Sequence, residues 1–296
     1  MFYLKIMFDT LTIIGPGLLG ASIGMASRKH SLAKKIQVWI RNEEKYTQCI
    51  NEKWCDNAHT SIINSVEDSD LIILCTPVDT IIPLLKEILP HLKRNAVVTD
   101  IGSVKGSICK QADLLVHSSH QLFIGSHPMA GSEKTGMKYA SETLLEGSPC
   151  ILCPTKQSDP NALKKVKKFW ESLKMKTVSM NPSLHDSTVA QISHLPHVVA
   201  SLLSASLSGT PKDSFAFAGG GLKDTTRVAG GSPILWQTII EQNSKEILQS
   251  LEKFEEVVKV FKHNLETNDY SAISEILIKG QNVRKNIENA ESKILD

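Results

Sequence analysis

Between positions 11 and 180 short runs rich in apolar and β-branched residues alternate with longer stretches of helical spacing. The runs are 11–15 (LTIIG), 36–40 (IQVWI), 71–75 (LIILC), 96–99 (AVVT), 122–125 (LFIG), 150–153 (CILC) and 177–180 (TVSM). Several are apolar at every position. Strands read this way when both faces are buried, whereas a half-exposed strand alternates. Strands alternating with helices predict an α/β domain with a parallel sheet wound by right-handed crossovers. After Pro182 the strand signals stop. Long helical patterns follow over 183–207, over 232–264 and from Tyr270 to the end. In the second of these, Ile239, Ile240, Ile247, Leu251, Phe254, Val258 and Phe261 recur at helical spacing. The pattern predicts two domains, 1–180 and 181–296, with no flexible linker between them.

Composition narrows the function classes. The formal net charge of +2 lacks the basic excess of a nucleic-acid-binding domain. No apolar run approaches the roughly 20 residues that span a bilayer. Lys5 and Asp9 fall inside what would be the apolar core of a secretory signal. Neither a nucleic-acid nor a membrane partner is expected. Six cysteines scattered through a chain of this length suit a reducing cytoplasm better than a disulfide framework. Cys150 and Cys153 form a CxxC inside a strand-like run with no second pair. They read as buried strand thiols, and no metal site is expected.

The first motif with a chemical reading is GPGLLG, residues 15–20, which follows the first strand and leads into a helix. Gly15 permits the tight turn, Gly17 lets the backbone approach a pyrophosphate, and Gly20 lets helix and strand pack closely. The helix opens at Leu18 and Leu19, and its N-terminal amides face the phosphates. An NAD site usually places Asp or Glu about 20 residues on, at the end of the second strand, to hold the ribose hydroxyls. Here Ile40 stands in that place and Arg41 follows. A guanidinium suits a 2′-phosphate, so NADP is the preferred cofactor. The alternative is NAD, with Glu43 or Glu44 on the ribose.

Further loops lie beyond strand ends, where a doubly wound sheet puts its ligands. Thr76 and Pro77 follow the run LIILC. Ser103, in DIGSVK, follows AVVT and reads either as a helix N-cap or as a hydroxyl for a substrate. The next run leads into GSHPMAGSEKTG, residues 125–136. There His127 sits between a strand end and a proline, on the cofactor edge, and reads either as a catalytic imidazole or as a structural or solvated histidine. In the second half SHLPH, residues 193–197, groups Ser193, His194 and His197. Without acidic or cysteine ligands nearby, no metal is expected there. FAGGGLKDTTR, residues 217–227, holds three consecutive glycines, which cost order and call for a tight turn or a close ligand. Arg227 beside them is either a carboxylate clamp or a surface charge.

These segments, with HDxxxAxxSHLPH and GGGLKDTTR in this order and spacing, resemble the prephenate/arogenate dehydrogenase family of tyrosine biosynthesis over roughly residues 10–265. The resemblance implies a Rossmann-like dinucleotide-binding domain followed by an all-α domain that forms a homodimer. It implies that hydride passes from a ring carbinol of prephenate or arogenate to NADP or NAD, that the ring carboxylate leaves as carbon dioxide, and that the ring becomes aromatic. His127 matches the catalytic histidine that hydrogen-bonds the ring hydroxyl, and Ser103 the serine that assists it. Ser193 and His197 match residues on the substrate side, Arg227 the arginine that grips a substrate carboxylate, and Glu133 an acid at the pocket mouth. The acid common after the family's second strand is missing here, which keeps NADP ahead of NAD. No regulatory domain accompanies these motifs, so tyrosine feedback through an added domain is not expected.

Two other readings stay open. One is a β-hydroxyacid dehydrogenase of the same architecture with Lys223 as acid–base, which would leave the histidine segments without work. The other is a dinucleotide sensor without chemistry, against which His127, Ser103 and Arg227 together count. The apolar helical tail, in a domain of only about 115 residues, is hard to bury within one chain, which again points to a dimer.

Overall fold

The computed structural model describes residues 6–116, 122–131 and 134–295. Two compact units divide the chain, Met1–Asn243 and Ser244–Asp296. The first unit holds a sheet of β1 (Phe8–Ile14), β2 (Ala33–Trp39), β3 (Asn57–His59), β4 (Leu71–Leu74), β5 (Val97–Asp100), β6 (Leu122–Pro128), β7 (Pro149–Cys153) and β8 (Lys176–Ser179). The order across the sheet is β3-β2-β1-β4-β5-β6-β7-β8. Its helices are α1 (Leu18–Lys29), α2 (Glu43–Ile50), α3 (Ile62–Val66), α4 (Val78–Ile88), α5 (Gly106–Val116) and α6 (Pro160–Ser172).

Alternate strand residues enter different cores, which is why several of the runs are apolar at every position. Ile13, Ile73 and Val97 pack with residues of α1 and α6 such as Ile23 and Trp170. Ile14, Ile72 and Val98 pack with residues of α4 and α5 such as Leu85 and Ile108. Each such burial contributes about 1.5–3 kcal/mol. Cys150 and Cys153 obey the same alternation. Three apart on β7, they lie in different cores, so they can neither pair with each other nor share an ion.

From β3 through β6 the pairing is parallel. β6 and β7 pair antiparallel, with His127 opposite Ile151, and β8 then runs parallel to β7. The sheet is therefore mixed, where the alternation predicts parallel pairing. The reason lies in the β6–β7 connection. A parallel return needs a crossover of a dozen or more residues, usually a helix. Between these strands the described residues contain only a short 3₁₀ turn, Met137–Tyr139. β3 has only three residues, too few to show a period in the sequence.

The helical patterns also break where the sequence gives little warning. The pattern over 183–207 folds as α7 (Pro182–Val189), a π turn (Ala190–His194) and α8 (Leu195–Ser206). Pro196 lies in the first turn of α8. It lacks the N–H that would continue the ladder, and the π turn absorbs the mismatch. After α9 (Gly220–Thr226), the pattern over 232–264 splits into α10 (Pro233–Gln242) and α11 (Ser244–Glu266). The break is Asn243, at φ −122° and ψ 24°. No glycine or proline marks it. Buried Asn243 instead donates its amide to the Asp186 carbonyl at 3.0 Å, a tertiary bond that the period cannot announce.

In the second unit α11 packs against α12 (Tyr270–Leu295). Phe254, Val257, Val258, Leu277 and Ile278 remain exposed. Among the described residues no helix is long and apolar enough to cross a membrane.

Candidate active site

Parallel strands β1, β4, β5 and β6 end on one edge of the sheet, and the glycine turn, Thr76 with Pro77, Ser103 and His127 lie at or just beyond those ends. β1 turns into α1 through Gly15, at φ +90°, a conformation that L side chains avoid. A Cβ at Gly20 would lie 2.5 Å from the Gly15 carbonyl oxygen, so only glycine lets helix and strand meet. A Cβ at Gly17 would meet nothing within 4 Å. The turn is open there, and Gly17 caps α1 without any side-chain hydrogen bond. The amides of Leu18, Leu19 and Gly20 therefore lack a side-chain acceptor at the positive end of the helix, which suits an anionic phosphate. A dinucleotide fits these residues.

Around this turn, the Thr76 methyl closes against Gly15, 2.8 Å from where a Cβ would stand. The Thr76 hydroxyl accepts from the Thr80 hydroxyl at 2.8 Å, and Pro77 precedes the first residue of α4. Ile40, only 6% exposed, belongs to the core and offers nothing to a ribose. Arg41 is exposed just past β2. Asn42 caps α2, accepting from Glu44 N–H at 2.8 Å and Lys45 N–H at 3.2 Å.

The loop after β5 contains a buried ion pair. Asp100 and Lys105 are both fully buried and bonded to each other. Asp100 also accepts from Gly102 N–H at 2.9 Å and Ser126 N–H at 3.2 Å. Ser103, half-buried in this loop, is not a cap, because α5 begins at Gly106. The cap is Asp186 from α7. Its Oδ1 accepts from Lys105 N–H and its Oδ2 from Gly106 N–H, each at 2.8 Å. A Cβ at Gly106 would stand 2.6 Å from that Oδ2, so the contact requires glycine.

Asp186 also reaches the candidate base. His127, on β6, is 8% exposed. Its Nδ1 lies 2.8 Å from His185 Nε2, and His185 Nδ1 lies 2.7 Å from Asp186 Oδ1. Burial, reinforced by His185, Lys105 and His194, holds the His127 imidazole well below its ordinary value near 6.5. Burial also lowers His185, against the opposing effect of its hydrogen bond to Asp186. Both rings are therefore neutral at pH 7.

The helical segments add a second cluster. His194, on the π turn, is brought down to about 4, chiefly by burial. Its Nδ1 lies 3.1 Å from the Asn243 amide nitrogen, while its buried Nε2 has no protein partner. His197 stacks on Trp236, with ring centroids 3.4 Å apart, and Trp236 meets His194 edge-on. Ser193 is half-buried on the same π turn. Arg227 is exposed at the start of a 3₁₀ turn that packs on α8. Lys223 is exposed on α9. Glu133 lies outside the described residues. A groove of about 640 Å³ between α4 and α5, lined by Ile82, Pro83, Gln111 and Leu115, contains none of the expected site residues.

Thus His127 is joined to residues that carried no role in the sequence: His185, Asp186, Asn243 and the Asp100–Lys105 pair. The HD dipeptide was visible but silent, because what it touches lies 58 and 80 positions away.

Comparison with known proteins agrees with this architecture. The family model described as "Prephenate dehydrogenase, nucleotide-binding domain" matches residues 23–179, and "Prephenate dehydrogenase, dimerization domain" matches residues 181–279. Prephenate dehydrogenase of Bacillus subtilis is 34% identical over 256 residues, covering 84% of this chain and 68% of that protein. The crystal structure of A. aeolicus prephenate dehydrogenase with hydroxyphenyl propionate and NAD+ matches with a TM-score of 0.87 and 33% identity, covering 94% of this chain and 98% of that one. Synechocystis arogenate dehydrogenase matches with a TM-score of 0.79 and 29% identity, covering 94% and 99%. With its glycine turn, its histidine cluster and both halves matched in order, the chain belongs to the prephenate dehydrogenase family.

Proposed function

We propose that this protein oxidises a cyclohexadienyl substrate, prephenate or arogenate, with hydride transfer to NAD(P) and loss of the ring carboxylate as carbon dioxide. One observation carries the reading: a buried, neutral His127 held by a second histidine, on the sheet edge that also bears the glycine turn. Gly15, Gly17, Leu18, Leu19, Gly20, Thr76 and Pro77 hold the cofactor, which accepts the hydride when bound. His127 takes the ring-hydroxyl proton as the C–H bond gives up its electrons. Help of this kind is worth about 10²–10⁴-fold. Ser103, on the neighbouring loop, hydrogen-bonds the same hydroxyl. Arg227 grips a carboxylate, and Ser193 and His197 line the substrate side, where orientation lowers the barrier. The family resemblance alone gives Glu133 its role as an acid at the pocket mouth. Exposed Lys223 is poorly placed to act as the buried acid–base that a β-hydroxyacid dehydrogenase needs.

Within the NAD(P) class, exposed Arg41 and buried Ile40 favour NADP. A partly exposed guanidinium–phosphate pair adds about 1–3 kcal/mol, or roughly 5- to 150-fold. The helical part, 181–296, is assigned to substrate binding and to a homodimer, supported by the exposed apolar side chains of α11 and α12. Buried free thiols fit a cytoplasmic location.

The test follows nicotinamide absorbance with prephenate or arogenate and with NAD+ or NADP+. Reduction with at least one substrate is expected, with carbon dioxide released and NADP+ the more efficient cofactor. No reduction with either substrate overturns the function, and a clear preference for NAD+ overturns the Arg41 assignment alone. Sedimentation is expected to give twice the 32.6 kDa chain mass; a 32.6 kDa species would refute the dimer.

A further inference from the structure

The contact between His127 and His185 fixes more than a ring position. The Asp186 carboxylate accepts from two backbone N–H groups, one on each oxygen. A carboxylate in this role is an acceptor only. Its third contact, Oδ1 to His185 Nδ1 at 2.7 Å, therefore places the proton on His185 Nδ1. A neutral imidazole carries one ring proton, so His185 Nε2 is bare. It then accepts from the group 2.8 Å away, His127 Nδ1. His127 is also neutral, so its single proton sits on Nδ1 and its lone pair on Nε2. Neutral imidazole in water prefers the opposite tautomer, which would present a donor to the substrate.

We propose that His185 and Asp186 are positioning residues that hold His127 in the Nδ1–H tautomer, so that Nε2 is the base for the ring-hydroxyl proton. This rests on the functional reading above. In the reaction the O–H bond breaks and an N–H bond forms at Nε2, while the hydride leaves separately for the nicotinamide. The imidazolium so formed donates from Nδ1 into the His185–Asp186 pair, which places a carboxylate two hydrogen bonds from the new charge. Asp186 is itself anchored by the start of α5, the positive end of that helix. The arrangement is set before any substrate arrives.

The test reads the tautomer directly in the free protein. Long-range ¹H–¹⁵N correlation on imidazole-labelled protein at pH 7.5, assigned by the signals lost in His127→Asn, reports which nitrogen of His127 is protonated. A protonated Nδ1 and a bare Nε2 are expected. His185→Phe removes the acceptor, so the proton should move to Nε2. kcat should then fall at least about 10-fold, with KM and cofactor affinity nearly unchanged. His185→Gln keeps a carbonyl oxygen where Nε2 was and should restore most of kcat. A wild-type His127 protonated on Nε2 overturns the proposal, even if His185→Phe does not fold. So does a His185→Phe protein with wild-type kcat and tautomer. The expected tautomer without turnover of either substrate would support the positioning and count against the functional reading instead.

Discussion

The glycine turn and the histidine cluster share one edge of the sheet and are built in opposite ways. The turn is local. Six consecutive residues, Gly15 to Gly20, make it, and each glycine has its own backbone reason: the positive φ, the open face, the close helix. The cluster is tertiary. His127 comes from β6, His185 and Asp186 from α7, Lys105 from the loop just before α5, His194 from a π turn and Asn243 from a helix break. A local site can be read from spacing. A tertiary one can be read only as far as each residue type hints at chemistry. The two should also fail differently: damage to the turn should weaken cofactor binding, and damage to the cluster should lower stability or turnover.

The largest expected effect lies beneath the cluster. Asp100→Ala leaves Lys105 buried and unpaired, a loss of about 3–5 kcal/mol. The urea midpoint should drop accordingly. A midpoint within experimental scatter of wild type would show that the pair is not needed to seat the loop.

Next comes pH. His127, His185 and His194 are all lowered by burial. The groups facing them are Asp186, Lys105 with Asp100, and His197. Below pH 6.5 the unfolded chain takes up protons that the folded cluster refuses, so stability is full above that value and is lost as pH falls. With His194 at about 4, that residue alone removes about 2 kcal/mol at pH 5. Denaturant titrations at pH 7.5 and pH 5 check the sign, and a protein more stable at pH 5 would contradict it.

The smallest of these effects concerns the turn. Gly17→Ala introduces a methyl into open space, so stability should change by no more than about 0.5 kcal/mol. Cofactor affinity should nevertheless weaken about 10-fold, roughly 1.4 kcal/mol, because the methyl stands where the pyrophosphate approaches. Unchanged affinity would move the phosphate away from Gly17.

Legibility in the sequence follows the same division. The buried strands were plain because both faces are apolar, and the glycine turn was plain because its spacing is its mechanism. The antiparallel β7 was hidden, since pairing direction depends on what the connection contains. Asn243 was hidden too, because a side chain with a distant partner ends the helix there. His127 was marked by its place at a strand end. His185 was not, although without it the protonation of His127 is unspecified. Resemblance supplied roles for Ser103, Ser193, His197 and Arg227 that their separate positions could not.

The proposed function stands on the assignment of His127 as the base of a cyclohexadienyl dehydrogenase. Its most direct test is the turnover of His127→Asn, with cofactor affinity measured on the same protein. kcat is expected to fall about 10²-fold or more while NAD(P) binding is unchanged. A His127→Asn protein that turns over at the wild-type rate would contradict it.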